Sequence, residues 1–517
     1  MRHFSGLRPS IAATVRSAPT VQVRLSAQGQ TVQIENLATS HGATVSVLHP
    51  FVAVAMILAI VALLVLPRKY ALVAFLSVAL LAPFGQQLYV GGVHIFVARI
   101  LILAGWMRMA WTKLSSKDDV IPGGLTAIDK VFFFWAIFHA LAAILLSRGD
   151  MGAIVYQSGF LWDAVGGFFL IRFLIQDEES VVSAIKTFAV VVGVVALTML
   201  NEKLRGQNVF GYLGSIPILP DVREGSIRAR GPFAHAILAG VFAATLLPLF
   251  FWMWQSKKSR LVAAAGLIGC TLMVLTSASS TPILSYLAVI LGLCFWPLRK
   301  NMRTFRWGLV ILLIVLNIVM KAPVWFLIGH VDLVPGNSSY HRAMLIDTCI
   351  RHFGEWWLIG TNQTVNWGVD MWDLSNQFVA EAEGGGLLTF ICFILVISWG
   401  FGWIGKARKL VEGDRKKEWF LWFLGIALFS HVVSFFGTSY FDQTKFMYYA
   451  LLSMICVTTS TILAVKQSAE EIVEEGLVNP RFAAASPSLR QQTSDVFPYK
   501  HARTLKPRSS YAGKLNK

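Results

Sequence analysis

The stretch Phe233-Ala-His-Ala-Ile-Leu-Ala-Gly-Val-Phe-Ala-Ala-Thr-Leu-Leu-Pro-Leu-Phe-Phe-Trp-Met-Trp-Gln255 contains no Asp, Glu, Lys or Arg. A helix needs roughly 20 apolar residues to cross the hydrocarbon core of a bilayer. This stretch meets that length and is much longer than the alternating strands of a membrane barrel, about 10 residues each. Similar runs recur near 51–66, 70–84, 92–111, 131–147, 153–176, 181–200, 261–277, 282–298, 307–329, 385–405, 419–437 and 446–465. The chain therefore reads as an all-α polytopic membrane protein. Hydrophobic residues make up 55% of it and charged residues 14%. A soluble domain carries about 25% charged residues.

The net charge of +17 would point to nucleic acid in a soluble chain. Here Lys and Arg gather in short loops and tails, where they set orientation and meet anionic headgroups. Lys257, Lys258 and Arg260 fill one turn, Arg299, Lys300, Arg303 and Arg306 another, and Lys406, Arg408, Lys409, Arg415, Lys416 and Lys417 a third. The positive-inside rule makes all three cytoplasmic. The segments 201–232 and 330–384 then face the periplasm or cell exterior. Thirteen full crossings would leave the tail with Arg2, Arg8, Arg16 and Arg24 outside. The expectation adopted is a bundle of about 12 helices (11–13) with both ends cytoplasmic. Its parts are a polar tail over 1–50, a membrane domain over 51–465, and a disordered cytoplasmic tail over 466–517, rich in Ser, Pro and Arg.

Motifs for nucleotide binding or soluble hydrolysis are absent: there is no P-loop, Rossmann fingerprint, H-E-x-x-H or G-x-S-x-G. The five Cys show neither C-x-x-C nor metal-like spacing, so no disulfide framework or zinc site is expected. No cleavable signal peptide is evident.

Three polar segments carry the candidate chemistry. The loop before Phe233 reads Arg223-Glu-Gly-Ser-Ile-Arg228-Ala-Arg230-Gly-Pro232. Guanidiniums bind phosphate through a planar fork, and at the outer leaflet they suit a lipid-linked diphosphate. The bland alternative is contact with lipid headgroups alone.

The second segment opens at Pro335-Gly336, with Ser338 or Ser339 as a cap. From His341 it fits an amphipathic helix, with Leu345, Ile346, Cys349, Ile350 and Phe353 on its apolar stripe and Arg342, Asp347 and Arg351 off it. Trp356 and Trp357 follow at headgroup level. The helix is either an interfacial seal or a lid bearing cationic and acid–base groups.

The third segment, Asp373-Leu-Ser375-Asn376-Gln-Phe-Val-Ala-Glu381-Ala-Glu383-Gly-Gly-Gly386, runs straight into an apolar span. Carboxylates at a membrane boundary are costly unless they face water, a partner or a substrate. Arg99, Asp163, Arg172 and Lys186 lie within or at the edge of the runs, and cavity-facing positions are expected for Arg99 and Asp163.

Together these segments resemble the O-antigen ligase and polymerase family of bacterial polysaccharide assembly. The similarity lies in Arg228-Ala-Arg-Gly-Pro-Phe-Ala-His235, in Ser-Ser-Tyr-His341-Arg342 followed by Glu355-Trp-Trp-Leu-Ile-Gly360, and in Ser375-Asn-Gln-Phe-Val-Ala-Glu-Ala-Glu383-Gly-Gly-Gly. It covers roughly residues 220–405. Where the family often has His before Asn, this chain has Ser375, so His341, Asp373 or Glu383 would take over that task.

The resemblance implies glycosyl transfer at the outer face of the inner membrane, from a polyprenyl-diphosphate-linked glycan to a hydroxyl of a second glycan or of a lipid core. Arg228, Arg230 and Arg342 would bind the diphosphate. Glu383, or else His341, would be the base, with Asp373, Asn376 and Glu381 supporting the acceptor or the loop. No cofactor or metal is implied, and the partners would be membrane lipids and other polysaccharide assembly proteins. The competing readings are a transporter of lipid-linked sugars, whose charges would line a path through the spans, and a non-catalytic scaffold.

Overall fold

The computed structural model describes residues 46–115, 120–121, 123–330, 333 and 339–478, with side chains as far as residue 466. The expected turn at Pro335-Gly336, Ser338 and most of both tails lie outside these residues.

The chain is a bundle of helices with two short hairpins. Pro50–Val65 (α1) and Arg68–Leu81 (α2) lead to the hairpin of Gln87–Val90 (β1) and Val93–Phe96 (β2). Then come Val97–Ser115 (α3), Ala127–Leu146 (α4), Met151–Leu174 (α5) and Glu178–Arg205 (α6). A second hairpin, Asp221–Arg223 (β3) with Ser226–Arg228 (β4), precedes Ala236–Trp254 (α7). Arg260–Thr276 (α8), Ser280–Cys294 (α9) and Met302–Val319 (α10) follow, then the short Ser339–Arg351 (α11). Gln377–Leu410 (α12), Arg415–Phe435 (α13) and Thr444–Val478 (α14) complete it. Among the described residues, nine helical segments are long and apolar enough to cross a membrane, and α1 and α9 are shorter apolar helices. This is a multi-pass membrane protein.

Burial sorts the helices. In α7, 83% of the apolar window is enclosed, whereas in α10 none is. The run chosen first from sequence is thus the centre of the bundle, and α10 presents Ile311, Leu313 and Ile318 outward.

The connections gather at two ends. At the basic end the Arg408 guanidinium donates to the Arg299 carbonyl (2.6 Å), Lys300 pairs with Glu412 (2.6 Å), and Trp296 stacks on Trp419 (centroids 3.9 Å apart). The loops read from sequence as basic and cytoplasmic therefore meet one another. At the loop end, Val47 pairs with Gln87, Gln86 Nε2 donates to the Leu213 carbonyl (2.7 Å), and the Phe84 N–H donates to the Pro232 carbonyl (2.9 Å). α14 starts at this same end, beside Gln443, and runs 35 residues away from it. The described chain therefore begins and ends at opposite ends of the bundle. Among the described residues the long apolar helices number nine, with α1 and α9 shorter, and the two tails on which the expected placement of the chain ends depends lie outside those residues.

Three local departures from the sequence reading have clear causes. The polar run 377–386 is helical from Gln377, because Asn376 caps it: its Oδ1 accepts from the Phe378 N–H (3.0 Å) and the Val379 N–H (3.3 Å). The helix then breaks at Gly386, where φ is +71° and ψ −172°, a conformation only glycine adopts without strain. On α11 the buried face includes Arg342, Leu345, Asp347 and Cys349, while Ile350 and Phe353 point outward. The expected stripe is rotated because a guanidinium, rather than an apolar side chain, is what the neighbouring loops enclose.

Candidate functional site

The arginine loop is fastened from several sides. One carboxylate oxygen of Glu202, at the end of α6, accepts from the backbone N–H groups of Arg230 (3.1 Å) and Gly231 (3.0 Å). Asn208 Nδ2 donates to the Gly231 carbonyl (2.8 Å), and Gln443 Nε2 to the Pro232 carbonyl (3.0 Å). The Ala234 N–H donates to Asp442 Oδ2 (3.2 Å). An irregular backbone cannot satisfy its own polar groups, so other elements satisfy them and thereby fix where its side chains point.

Arg228 forms an ion pair with Asp221 across the β3–β4 hairpin (3.1 Å) and donates to Ser279 Oγ (2.8 Å). Arg230 is 5% exposed; its Nη1 donates to the Ala234 carbonyl at 3.3 Å, and its buried Nε has no hydrogen-bond partner among the described residues. Arg342, from α11, is 3% exposed. Burial pushes its guanidinium down to about 10, Asp373 opposes this, and Arg223 and Arg228 add to it. Such a value leaves it charged at neutral pH. His235 is exposed, yet the surrounding protein lowers its imidazole below the usual histidine value, and Arg230 and Arg228 lower it further. Arg223, Arg228, Arg230, Arg342, His235 and Asp373 thus form one electrostatically coupled set at the loop end. His341 joins it through its Nε2, 3.0 Å from the Asp373 carbonyl oxygen.

The acidic residues take different places. Glu381 is 2% exposed and accepts from Trp135 Nε1 (2.7 Å) and Gln377 Nε2 (2.7 Å). It faces the bundle interior, so its expected support of an acceptor loop is not what these contacts provide. Asn376, fully buried as the helix cap, supports the loop instead; its Nδ2 donates to the Phe436 carbonyl (3.5 Å). Glu383 is half-buried. It sits near Cys349, whose thiol is pushed up to about 12 by burial and then by the Glu383 charge. Its other titratable neighbour is His139.

Two contacts set the spacing between the arginines and Glu383. His341 meets Asp373, and eight residues later Cys349 lies by Glu383, so α11 and the first half of α12 run side by side. Asn376 to Glu383 is seven residues, about 10 Å of helix at about 1.5 Å each. The break below is braced by the loop before it. The Thr361 N–H donates to the Glu383 carbonyl (2.9 Å), and the Leu387 N–H to the Trp357 carbonyl (2.9 Å).

The intramembrane charges pair with one another. Asp163 accepts from Arg99 (3.0 and 3.1 Å) and from Lys445 (2.9 Å). It lies in a π-helical turn, Trp162–Gly166, whose Gly166 carbonyl accepts from Trp106 Nε1 (3.0 Å). Arg172 and Asp129 are both fully enclosed, at 3.4 Å, so Arg172 does not reach the membrane surface. Lys186 is exposed.

Sequence reasoning passed over Glu202, Asp442, Gln443 and His139. Asp442 and Gln443 lack a local signal, being far from the loop in sequence, whereas Glu202 lies at the start of the segment 201–232 itself, at the end of α6. His139 had one, an ionisable side chain inside an apolar run.

No protein-family model matches the chain, and no curated protein is similar to it.

Proposed function

We propose that the protein is a glycosyltransferase of the bacterial inner membrane that polymerises or ligates polyprenyl-diphosphate-linked glycan at the outer face. The observation that carries this reading is the meeting of Arg228, Arg230 and Arg342, from two distant segments, in one electrostatically coupled patch beside Asp373, just before the helix that carries the half-buried Glu383. Buried guanidiniums are stronger anion ligands than exposed ones, because water competes less. A diphosphate seated on them would put its sugar toward Glu383.

In this reading the arginines stabilise the negative charge that develops on the departing diphosphate. Glu383 takes the acceptor proton. His341 is the second candidate base, and its contact with the Asp373 carbonyl favours a positioning part instead. Asp373 tempers the cationic patch. No metal is needed for charge neutralisation if the arginines supply it. The basic end faces the cytoplasm by the positive-inside rule, which makes the loop end periplasmic. The alternative of a transporter has less support, since Asp163 is paired with Arg99 and Lys445, and Arg172 with Asp129, rather than open to a path. The scaffold alternative rests on Ser375 alone.

The test is polysaccharide gel profiling of a deletion strain complemented with wild type, Arg230→Ala or Glu383→Gln. Single-repeat glycan in the deletion, with long chains restored by wild type only, identifies a polymerase. Long chains held on the lipid carrier identify a ligase. An unchanged profile in every strain removes the transferase reading.

A further inference from the structure

At the basic end of the bundle most charges are already engaged by the protein. The Arg299 guanidinium lies over the Trp296 ring, 4.2 Å from its centroid, with Nε 3.9 Å from Glu418 Oε2. Lys300 pairs with Glu412, Lys417 with Asp414 (3.6 Å), and Arg408 donates to the Arg299 carbonyl. These contacts occupy Glu412, Asp414 and Glu418. Arg303 and Arg306, on the first two turns of α10, are exposed and have no hydrogen bond or ion pair among the described residues. With Trp307 and Val310 they line an open recess of about 290 Å³, near the lower end of small-ligand sites, roughly 300–1,000 Å³. Positions 303, 306, 307 and 310 share one helix face. The recess therefore runs about 10 Å along α10, at about 1.5 Å per residue, from two guanidiniums past an indole to an aliphatic side chain. No carboxylate among the described residues lines it. None of the apolar window of α10 is enclosed by protein, so lipid lies along the recess.

We propose that this recess binds the headgroup of an anionic phospholipid from the leaflet at the basic end. A phosphodiester offers the oxygens that guanidinium forks bind. An indole belongs at headgroup level, where Trp307 stands one turn beyond Arg303. Acyl chains then continue past Val310 along Leu313 and Ile314, both exposed. Charge complementarity selects the headgroup. A zwitterionic lipid brings an ammonium that two guanidiniums repel and no carboxylate of the recess attracts, whereas an anionic lipid brings none or balances it. The apolar continuation selects a lipid over a free phosphate, which has nothing to lay against Val310. The recess lies at the opposite end of the bundle from Arg228, Arg230 and Arg342, and the proposal does not rest on the transferase reading.

The test titrates the full-length protein in detergent with phosphatidylglycerol, or with phosphatidylcholine of the same acyl chains, and counts bound lipid by native mass spectrometry. Wild type binds phosphatidylglycerol about 25-fold more tightly, about fivefold for each arginine near an anionic headgroup. Arg303→Gln combined with Arg306→Gln removes that preference. Lys257→Gln combined with Lys258→Gln takes two exposed charges from the same end outside the recess and keeps it. Arg306→Gln alone lowers the preference about fivefold, and it carries the test if the double variant does not fold. Equal affinity of wild type for the two lipids, an undiminished preference in Arg306→Gln, or an equal loss in the lysine pair overturns the inference. Displacement of bound phosphatidylglycerol by millimolar inorganic phosphate makes this a free-phosphate site and overturns the lipid assignment; retention of the lipid supports it.

Discussion

The loop carrying Arg228 and Arg230 and the half-helix carrying Glu381 and Glu383 both display charge at one end of the bundle, by opposite means. The loop is irregular, and its backbone groups are satisfied by Glu202, Asn208, Asp442 and Gln443 from elsewhere. The half-helix satisfies its own backbone until Gly386 ends it. Its exit is pinned by backbone bonds from Trp357 and Thr361. In the loop, direction is set by imported side chains. In the half-helix it is set by the helical repeat, under which residues two apart do not share a face. Glu381 therefore turns to Trp135 and Gln377, while Glu383 lies by Cys349.

The largest effects should come from the charges. Glu383→Gln is expected to slow transfer about 10³-fold if it removes a general base, and Arg230→Ala about 10²-fold if it removes one oxyanion ligand. Timed chain-length profiles of complemented membranes measure both. Equal rates for wild type and Glu383→Gln would leave the half-helix with a structural role only.

Next comes the break. Gly386→Ala places a Cβ 2.7 Å from the Leu358 carbonyl oxygen on a backbone with φ +71°. The strain is of order 1–3 kcal/mol, so thermal unfolding in detergent should shift downward. An unshifted transition would mean that the half-helix does not depend on that geometry.

Glu202→Ala leaves the Arg230 and Gly231 N–H groups without their acceptor, at a cost of about 1–3 kcal/mol. Hydrogen exchange should rise across 228–235 and stay unchanged across 377–385. A rise in both would merge the two regions into one cooperative unit.

The smallest effect is electrostatic. His235 is held below the ordinary histidine value by the desolvating effect of the surrounding protein and by Arg230 and Arg228. Arg230→Ala removes a positive neighbour, so the proton binds more readily and the NMR titration midpoint of His235 rises. A midpoint that stays put would mean that the Arg230 charge does not act on His235.

Much of the site was legible before any coordinates. Arg228, Arg230 and Arg342 stand out because a charged residue near an apolar run is costly, and its presence signals a purpose. The rotation of α11 was not legible. Periodicity favoured Ile350 and Phe353 as inward, but both are exposed while Arg342 is enclosed. Hydropathy ranks side chains by their cost in water, and the loops around Arg342 change that cost locally. The fate of Glu381 was hidden for a similar reason, since Trp135 lies 246 residues away.

By itself the sequence determined a helical, multi-pass membrane protein and singled out the polar segments that hold the candidate residues. Runs of some 20 apolar residues have few other stable fates than crossing a bilayer as helices. Only the tertiary structure decided which charges meet. It joined Arg228 to Arg342, sent Glu381 inward, set His139 beside it, and tied Asp163 to Arg99 and Lys445. Those meetings depend on contacts between helices, and the hydrophobic effect that puts the helices into the bilayer gives no drive for one of them to choose another there. Close packing, hydrogen bonds and ion pairs between distant residues supply the direction.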